Sequence, residues 1–247
     1  MRSCYSNSCA FELYKSQLPS DVEDGHALTE ERVKELIQKA LRAGHESVLE
    51  HGLFTFDLQG VSRVCTHQLV RHRIASFSQQ SQRHAKVSFD ADWYVVPPSF
   101  KEDSRKKFEE RMKAVASWYL EESGSGGKIE DARFYLPSAA RTNVVVSMNP
   151  RELLHVFQLR CGAEAQWEIR AVAWAMLACS RLIAPTIFAE IKHSPADASF
   201  EERKRILEEI LSEVRPHFER TGLHETFEIP LSSLELKSGI QAFVYKT

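Results

Sequence analysis

Apolar residues recur three and four positions apart in several stretches of the chain, the spacing that places them on one face of a helix. The first such stretch follows Thr29, a typical N-cap residue, and ends before Gly44, a typical stop signal. Its predicted buried face consists of Val33, Leu36, Ile37, Ala40 and Leu41. The same spacing predicts further helices around 61–69, over 101–122, from Asn149-Pro150, over 163–183 and from Ser199.

Shorter runs rich in aromatic and β-branched residues predict strands at 53–58, 93–96, 144–146 and 241–245. Helices and strands intermix along the chain without the regular alternation of a βαβ protein. The pattern therefore predicts a single α+β domain over 1–247, in which a mixed or antiparallel sheet packs against several helices. The tail 225–247 has a mixed pattern that assigns it no role.

Composition and charge narrow the class of protein. Hydrophobic residues make up 43% and charged residues 27% of the chain, so it is expected to fold as a soluble globular protein. Its longest nearly charge-free apolar stretch, 171–180, is far shorter than the roughly 20 residues that span a membrane. A formal net charge of -2 argues against a dedicated nucleic-acid-binding protein.

The cysteines are odd in number, irregularly spaced and without a Cys-x-x-Cys pair: Cys4, Cys9, Cys65, Cys161 and Cys179. This pattern is typical neither of a disulfide framework nor of a zinc ribbon, and the N-terminus lacks the apolar run of a signal peptide. A reduced, cytoplasmic protein is therefore expected. No metal is predicted, because the spacing of His45, His51, His67 and His72 matches no usual zinc site.

Residues 58–89 contain no Asp or Glu, although about four are expected in 32 residues at the chain's average composition. This acid-free segment carries eight basic or imidazole side chains among serines and glutamines: Arg63, His67, Arg71, His72, Arg73, Arg83, His84 and Lys86. Arginine binds phosphate oxygens two at a time, and hydroxyl, amide and backbone N–H groups complete such sites. The segment therefore predicts a site for a phosphate or polyphosphate ligand.

Two other interpretations fit the same composition. A basic run is often only a solvated surface, and a stretch rich in Arg, His and Gln over 63–86 also suits a single-stranded RNA-binding or nucleotide-binding module, with Phe77 as a stacking platform. The apolar residues Ile74, Ala75 and Val87 nevertheless indicate a partly buried segment. Burying several arginines without carboxylates requires an anionic ligand or the carboxylates of another chain.

Within the acid-free segment, Arg71-His72-Arg73 is followed by seven residues and then by Ser81. This motif resembles the Arg-His-Arg-x7-Ser signature of flavin-dependent thymidylate synthases. Two further blocks resemble that family in order and spacing, namely His-Glu-Ser-Val-Leu-Glu-His at 45–51 and Ala-Gln-Trp-Glu-Ile-Arg at 165–170. Together the three blocks span about half of the chain.

The resemblance implies methylation of dUMP to dTMP with methylenetetrahydrofolate as carbon donor and NADPH-reduced FAD as reductant, in a homotetramer whose subunits share active sites. It places Arg170 beside the uracil as the catalytic residue. It implies that dUMP is bound by Gln68, Arg71, Gln79, Gln80, Ser81, Gln82, Arg83, Arg141 and Arg170. It implies that FAD is bound by Ser47, Glu50, Arg71, His72, Arg73, Gln79, Arg160 and Glu164.

The chain departs from the family's commonest pattern at two places. Gln79 stands where a glutamate is common, and His84 replaces a tyrosine, so no residue is assigned to folate. No cysteine lies in the Pro-Cys-His-Gln-like context of the folate-only thymidylate synthases, and Cys65 and Cys161 are predicted to be small buried hydrophobes. Ser81 lacks a Gly-x-Ser-x-Gly elbow and is therefore predicted to bind the nucleotide rather than to attack it.

Overall fold

A three-stranded antiparallel sheet lies at the centre of the computed structural model, which describes residues 29–90, 92–191 and 198–221. Its strands are β1 (Phe54–Ser62), β2 (Ala75–Gln79) and β3 (Arg141–Met148), in the order β1-β3-β2. The middle strand β3 pairs antiparallel with both neighbours, so that Phe56 and Phe77 both lie opposite Val146. This sheet and the helices around it confirm the predicted α+β class.

The described residues form seven α-helices and two short 3-10 helices. The α-helices are α1 (Glu30–Arg42), α2 (Arg63–Leu69), α3 (Glu102–Gly124), α4 (Ile129–Ala132), α5 (Pro150–Arg160), α6 (Trp167–Ile183) and α7 (Ala198–Thr221). The 3-10 helices are Glu46–His51 and Arg133–Tyr135. The predicted strand 241–245, the tail 225–247 and two of the cysteines, Cys4 and Cys9, lie outside the described residues.

The helix starts follow their capping residues. The predicted N-caps Thr29 and Asn149 accept hydrogen bonds from the backbone N–H groups of Arg32 and Glu152, which confirms both starts. α6 begins at Trp167 rather than at 163, because the Gln166 side chain caps the next turn. α2 begins at Arg63, directly after its own cap Ser62.

A bulge carries β1 past the predicted end of the strand at 58. The pairing with β3 shifts between Leu58 and Val61, and Gly60 adopts φ +69°, a left-handed conformation that favours glycine. The Gly60 N–H donates to Asn143 Oδ1 at 2.9 Å. Pairing then resumes and ends with Ser62 opposite Arg141. The bulge thus extends the sheet to a residue that is predicted to bind dUMP.

The strand predicted at 93–96 is wrong, and β2 is missing from the predicted strands. Only an isolated bridge joins Tyr94 to Ala140. The apolar character of this stretch has another origin: Trp93 packs with Met112 and Ala140 in a second core against α3. β2 gives a weak sequence signal because serines alternate with its half-buried residues.

The central helix of the main core is α6, whose residues from 171 to 182 are all buried. It contacts β1, α2, α5 and α7, and the indole N–H of Trp174 donates to the Cys161 carbonyl at 3.1 Å. The apolar stretch 171–180 is therefore a core helix. Among the described helices, none combines the length and the apolar character that crossing a membrane requires.

Loss of the Asn149 cap is expected to destabilise the fold modestly. Asn149 Oδ1 accepts from the Glu152 N–H at 2.9 Å, at the start of α5. Asn149→Ala should lower the free energy of unfolding by about 1 kcal/mol, because one N–H of the first turn loses its acceptor. Urea denaturation measures this change. Asn149→Asp is the matched control and should retain most of the stability, and equal loss in both variants would contradict the capping role.

Candidate active site

The acid-free segment supplies most of a polar cluster at one end of the sheet, where β1 and β2 end and β3 begins. We refer to Arg63, Gln79, Gln80 and Arg141 as the sheet-end cluster. Arg63 Nη2 donates to the Gln80 carbonyl at 2.8 Å, and the Gln80 N–H donates to the Asn143 carbonyl at 2.9 Å. α2, β2 and β3 therefore meet through these groups.

Two arginines of the sheet-end cluster carry buried donors without an acceptor. Among the described residues, three buried side-chain polar atoms have no hydrogen-bond partner: Arg63 Nε, Arg141 Nε and Tyr119 Oη. Burial and the nearby charge of Arg133 lower the pKa of Arg63. Buried guanidinium donors without acceptors are costly, and an anion placed between them would remove that cost.

Gln79 uses its amide inside the sheet-end cluster. Its Nε2 group donates to Thr66 Oγ1 at 2.9 Å and to Thr142 Oγ1 at 3.5 Å. A carboxylate at this position would instead accept from both hydroxyl groups. The departure from the family's common glutamate thus reverses two hydrogen bonds and keeps the link between α2 and β3.

Ser81 and Arg83 form a turn directly after β2. Ser81 Oγ accepts from the backbone N–H groups of Arg83 at 3.2 Å and of His84 at 3.4 Å, so this hydroxyl organises the turn. Arg83 Nε lies 2.6 Å from Glu130 Oε2. Gln82, between them, is half-buried. The turn therefore presents a guanidinium next to the sheet-end cluster.

Arg170 lies in the first turn of α6 and is half-buried. Its Nη1 group donates to the backbone carbonyls of Ala163 at 3.0 Å and Ala165 at 3.3 Å. These bonds fix the guanidinium against the loop that precedes the helix. Glu164 lies in the same loop and is exposed.

A buried carboxylate that is absent from the predicted site residues stands two positions before Arg170. Glu168 is 3% exposed, and its carboxylate accepts from the Ser62 N–H at 2.7 Å and from the Ser62 hydroxyl at 2.5 Å. Burial raises its pKa, while the bonds from Ser62 and the charge of Arg141 act in the opposite direction. The only sequence signal for Glu168 is its place in the block at 165–170.

The middle residue of the Arg-His-Arg motif is buried, whereas Arg71 and Arg73 are exposed. His72 Nε2 accepts from Arg160 Nε at 3.1 Å, and its Nδ1 lies 3.4 Å from Glu152 Oε1. Burial, Arg160 and His155 lower the pKa of His72 to about 4, so its ring is neutral at pH 7. We refer to His72, Glu152, His155 and Arg160 as the His72 cluster.

The neutral His72 ring makes the stability of the protein depend on pH. The unfolded ring binds a proton at a pKa of 6.5, but the folded ring binds one only near 4. The unfolded state therefore binds more protons as the pH falls from 6.5 towards 4, and the folded state is destabilised. We expect His72 to account for a loss on the order of 3 kcal/mol between pH 7 and pH 4.

Chemical denaturation of the wild type and of His72→Gln at several pH values measures this effect. The glutamine oxygen can still accept from Arg160, but the side chain does not titrate. The stability difference between the two proteins should shrink as the pH falls through this range. A difference that does not change with pH would contradict the neutral, buried ring.

A groove of about 800 Å³ lies beside the His72 cluster, bounded by α1, the 3-10 helix Glu46–His51, α5 and the stretch 186–191. Its apolar walls include Leu41, Ile74, Leu154 and Ile187. Arg151 pairs there with Glu50 at 2.5 Å and with Glu46 at 3.3 Å. This volume lies in the range of small-molecule and cofactor pockets. Of the predicted FAD residues, Glu50 lines the groove, and Ser47 lies exposed on the same 3-10 helix.

The predicted residues fall into two groups on one chain. The sheet-end cluster and the turn of Ser81 lie at the end of β2, and Arg73, the His72 cluster and the groove lie at its beginning. The five residues of β2 separate the groups by about 16 Å at the usual rise of a strand. Arg71 and Gln68 lie where α2 ends, and the Arg71 N–H donates to the Gln68 carbonyl at 3.2 Å.

The described cysteines are poor nucleophiles. Cys65, Cys161 and Cys179 are buried, as predicted for the first two. Burial raises the pKa of Cys65 and of Cys161 far above the usual range and that of Cys179 to about 12. Their thiols therefore stay protonated at neutral pH. Among the described residues there is also no group of three or more His, Cys, Asp or Glu side chains that could hold a metal ion.

Comparison with known proteins identifies the family. The family model of the thymidylate synthase complementing proteins, Thy1, matches residues 1–186. A flavin-dependent thymidylate synthase from Geobacter sulfurreducens is 46% identical over 191 residues, which cover 76% of this chain and 78% of that protein.

Two further relatives carry the same name. The protein from Nitratidesulfovibrio vulgaris is 45% identical over 199 residues, 76% of this chain and 78% of its own. The protein from Pyrococcus furiosus is 48% identical over 159 residues, 63% of this chain and 65% of its own. These matches confirm the resemblance of the three motif blocks, and the chain belongs to the flavin-dependent thymidylate synthases of the Thy1 family.

Proposed function

We propose that this protein catalyses the reductive methylation of dUMP to dTMP, with methylenetetrahydrofolate as carbon donor. NADPH is the external reductant, and bound FAD supplies the reducing equivalents. The observation that carries the assignment is the pair of buried Nε donors of Arg63 and Arg141, which have no hydrogen-bond partner among the described residues. Membership of the Thy1 family supports the same reaction.

In this proposal the phosphate of dUMP is bound at the sheet-end cluster. Arg63 and Arg141 offer buried donors, and Arg83 stands at the adjoining turn with Ser81. Several guanidinium groups around one phosphate give charge-assisted hydrogen bonds in a defined orientation. Gln80 and Gln82 lie in the same turn, and Gln79 links this end of the sheet to α2 through its hydrogen bond to Thr66. Arg63 is an addition to the residues that the motif comparison implies.

Arg170 acts on the uracil ring. Methylation at C5 requires electron density to build up on that carbon, and the ring then carries negative charge close to N3. A guanidinium that is fixed by the Ala163 and Ala165 carbonyls stabilises this charge without having to reorient. Because the described cysteines stay protonated, no described thiol adds to the ring at C6.

The groove beside the His72 cluster is proposed to hold the flavin ring system, for which its volume of about 800 Å³ is large enough. Its apolar walls suit an aromatic ring system, whereas Arg151 is already paired with Glu50 and Glu46 and the diphosphate is therefore assigned to other arginines. The exposed Arg71 and Arg73 and the half-buried Arg160 add guanidinium groups for a diphosphate. His72 contributes through Arg160, because its own ring is buried. Glu50, Ser47, Glu164 and Gln79 complete the set proposed for FAD.

A homotetramer is proposed because one chain does not bring all of these residues together. The groove and the sheet-end cluster lie at different ends of β2, and uracil and flavin must meet for the reaction. If subunits share active sites, the groove of one subunit can face the sheet-end cluster of another. We also propose that the enzyme works in the cytoplasm, where free thiols stay reduced.

Ligand binding separates this function from its alternative, a single-stranded RNA-binding module. The purified protein should show a flavin absorption spectrum, alone or after reconstitution with FAD, and should bind dUMP more tightly than a random oligonucleotide. Oligonucleotide affinity with a steep salt dependence, combined with no FAD and no dUMP binding, would favour the RNA-binding module instead.

A further inference from the structure

Glu168 is a buried carboxylate that the proposed chemistry leaves without a role. It accepts two hydrogen bonds from one residue, Ser62, through the backbone N–H and the hydroxyl. Ser62 is the last residue of β1 and the N-cap of α2, where its hydroxyl also accepts from the Cys65 N–H at 3.0 Å. Glu168 therefore joins the first turn of α6 to the junction of β1 and α2.

The same turn of α6 carries Arg170. Two further sets of bonds fix this turn: Gln166 caps the N–H groups of Glu168 and Ile169, and Arg170 donates to the carbonyls of Ala163 and Ala165. Those bonds are all local to residues 163–170. The hydrogen bonds between Glu168 and Ser62 link this turn to the sheet, and Ser62 lies opposite Arg141 in the sheet register.

A carboxylate is an expensive way to hold a helix in a core. A carboxyl side chain that is 3% exposed loses its hydration, and an apolar residue of similar size could fill the same space. The Glu168 carboxylate is explained if α6 must be held at one position within a fraction of an ångström, and not merely kept in contact with the core. Directional hydrogen bonds to Ser62 add this precision to the close apolar packing of α6.

We propose that Glu168 is a positioning residue, which through Ser62 sets the place of the Arg170 guanidinium relative to the sheet-end cluster. This inference rests on the proposed function. If Arg170 acts on the uracil and the sheet-end cluster holds the phosphate, the distance between them must match the nucleotide. The Ser62–Glu168 pair connects the turn of Arg170 directly to the strand end opposite Arg141 and so helps to fix that distance.

Glu168→Gln tests the proposal because it keeps the shape but removes the charge and one acceptor. We expect kcat to fall on the order of 10- to 10²-fold, the range for a catalytic group displaced by about 1 Å. The dissociation constant of dUMP, measured by calorimetry, should stay equal or become smaller, because Arg141 loses a neighbouring negative charge. A loss of turnover together with weaker dUMP binding and a lower flavin content would indicate general disruption and overturn the proposal.

A double-mutant cycle with Arg170→Ala provides the readout that a purely structural role would not give. If Glu168 acts through Arg170, the double variant should turn over no more slowly than Arg170→Ala alone. Additive losses would overturn the proposal. A wild type without dUMP turnover would instead contradict the proposed function, and normal turnover in Glu168→Gln would contradict only the positioning role.

Two buried serines supply matched variants that each lose one hydroxyl group. Ser62→Ala removes one bond to Glu168, and Ser180→Ala removes a hydroxyl bonded to the Met176 carbonyl on the same helix α6. Both variants should melt at a lower temperature than the wild type, but only Ser62→Ala should lose turnover. Equal turnover in the two, or failure of both Glu168→Gln and Ser62→Ala to fold, would overturn the proposal.

Discussion

Arg170→Ala lowers the turnover of dUMP on the order of 10²–10³-fold in this account, while the flavin content stays that of the wild type. The loss follows from the removal of a fixed positive charge at the ring that becomes negative during methylation. The cofactor should be retained because Arg170 itself is not among the residues proposed to bind FAD, and its guanidinium is held by the Ala163 and Ala165 carbonyls. Steady-state oxidation of NADPH in the presence of dUMP measures the change.

Arg170→Lys distinguishes the charge from its geometry. Lysine keeps the positive charge but cannot make the planar bonds to the Ala163 and Ala165 carbonyls in the same way. It should recover only part of the lost turnover. Near-wild-type turnover in Arg170→Ala would show that this guanidinium is not the group that stabilises the ring.

Arg63→Ala and Arg141→Ala weaken the binding of dUMP by roughly 10- to 10²-fold each. Each substitution removes a charge-assisted hydrogen bond to the phosphate, a contribution of about 1.5–3 kcal/mol. Each also removes a buried Nε donor that has no acceptor among the described residues, but Arg63→Ala in addition loses the Nη2 bond to the Gln80 carbonyl, so the free energy of unfolding is measured alongside. Calorimetric titration with dUMP measures the effect.

A comparison with deoxyuridine, which lacks the phosphate, tests whether Arg63 and Arg141 bind the phosphate group itself. The wild type should bind dUMP far more tightly than deoxyuridine, and the two variants should reduce that ratio without changing the affinity for deoxyuridine. Arg32→Ala is a suitable control, because Arg32 is exposed and pairs only with Glu35 in the contacts described. An unchanged ratio of the dUMP and deoxyuridine affinities in both Arg63→Ala and Arg141→Ala would show that the phosphate is not bound at the sheet-end cluster.

The sequence patterns predicted the elements whose signals are local. Thr29 and Asn149 mark helix starts because a capping side chain acts on the next turn of its own helix. The strand at 93–96 failed because apolar residues that fill a core beside α3 look the same as residues that pair in a sheet. β2 was missed because its pairing depends on β3, more than sixty positions away in the chain.

The features of the candidate site likewise divide into those that sequence can predict and those that depend on the fold. The motif identified the family and the acid-free segment predicted an anion site, since both are readable from composition and spacing. The role of His72 was not readable, because its burial depends on Arg160 and Glu152. Glu168 and Arg63 likewise gain their significance from contacts with Ser62 and Gln80 that only the fold brings together.

Product analysis follows the one-carbon unit from the folate to the nucleotide. The purified protein is incubated with FAD, NADPH, dUMP and methylenetetrahydrofolate that is isotopically labelled at its methylene carbon. Labelled dTMP should form in many-fold excess over the protein, and none should form when either NADPH or dUMP is omitted. Protein that binds FAD and dUMP but forms no labelled dTMP would contradict the proposed function.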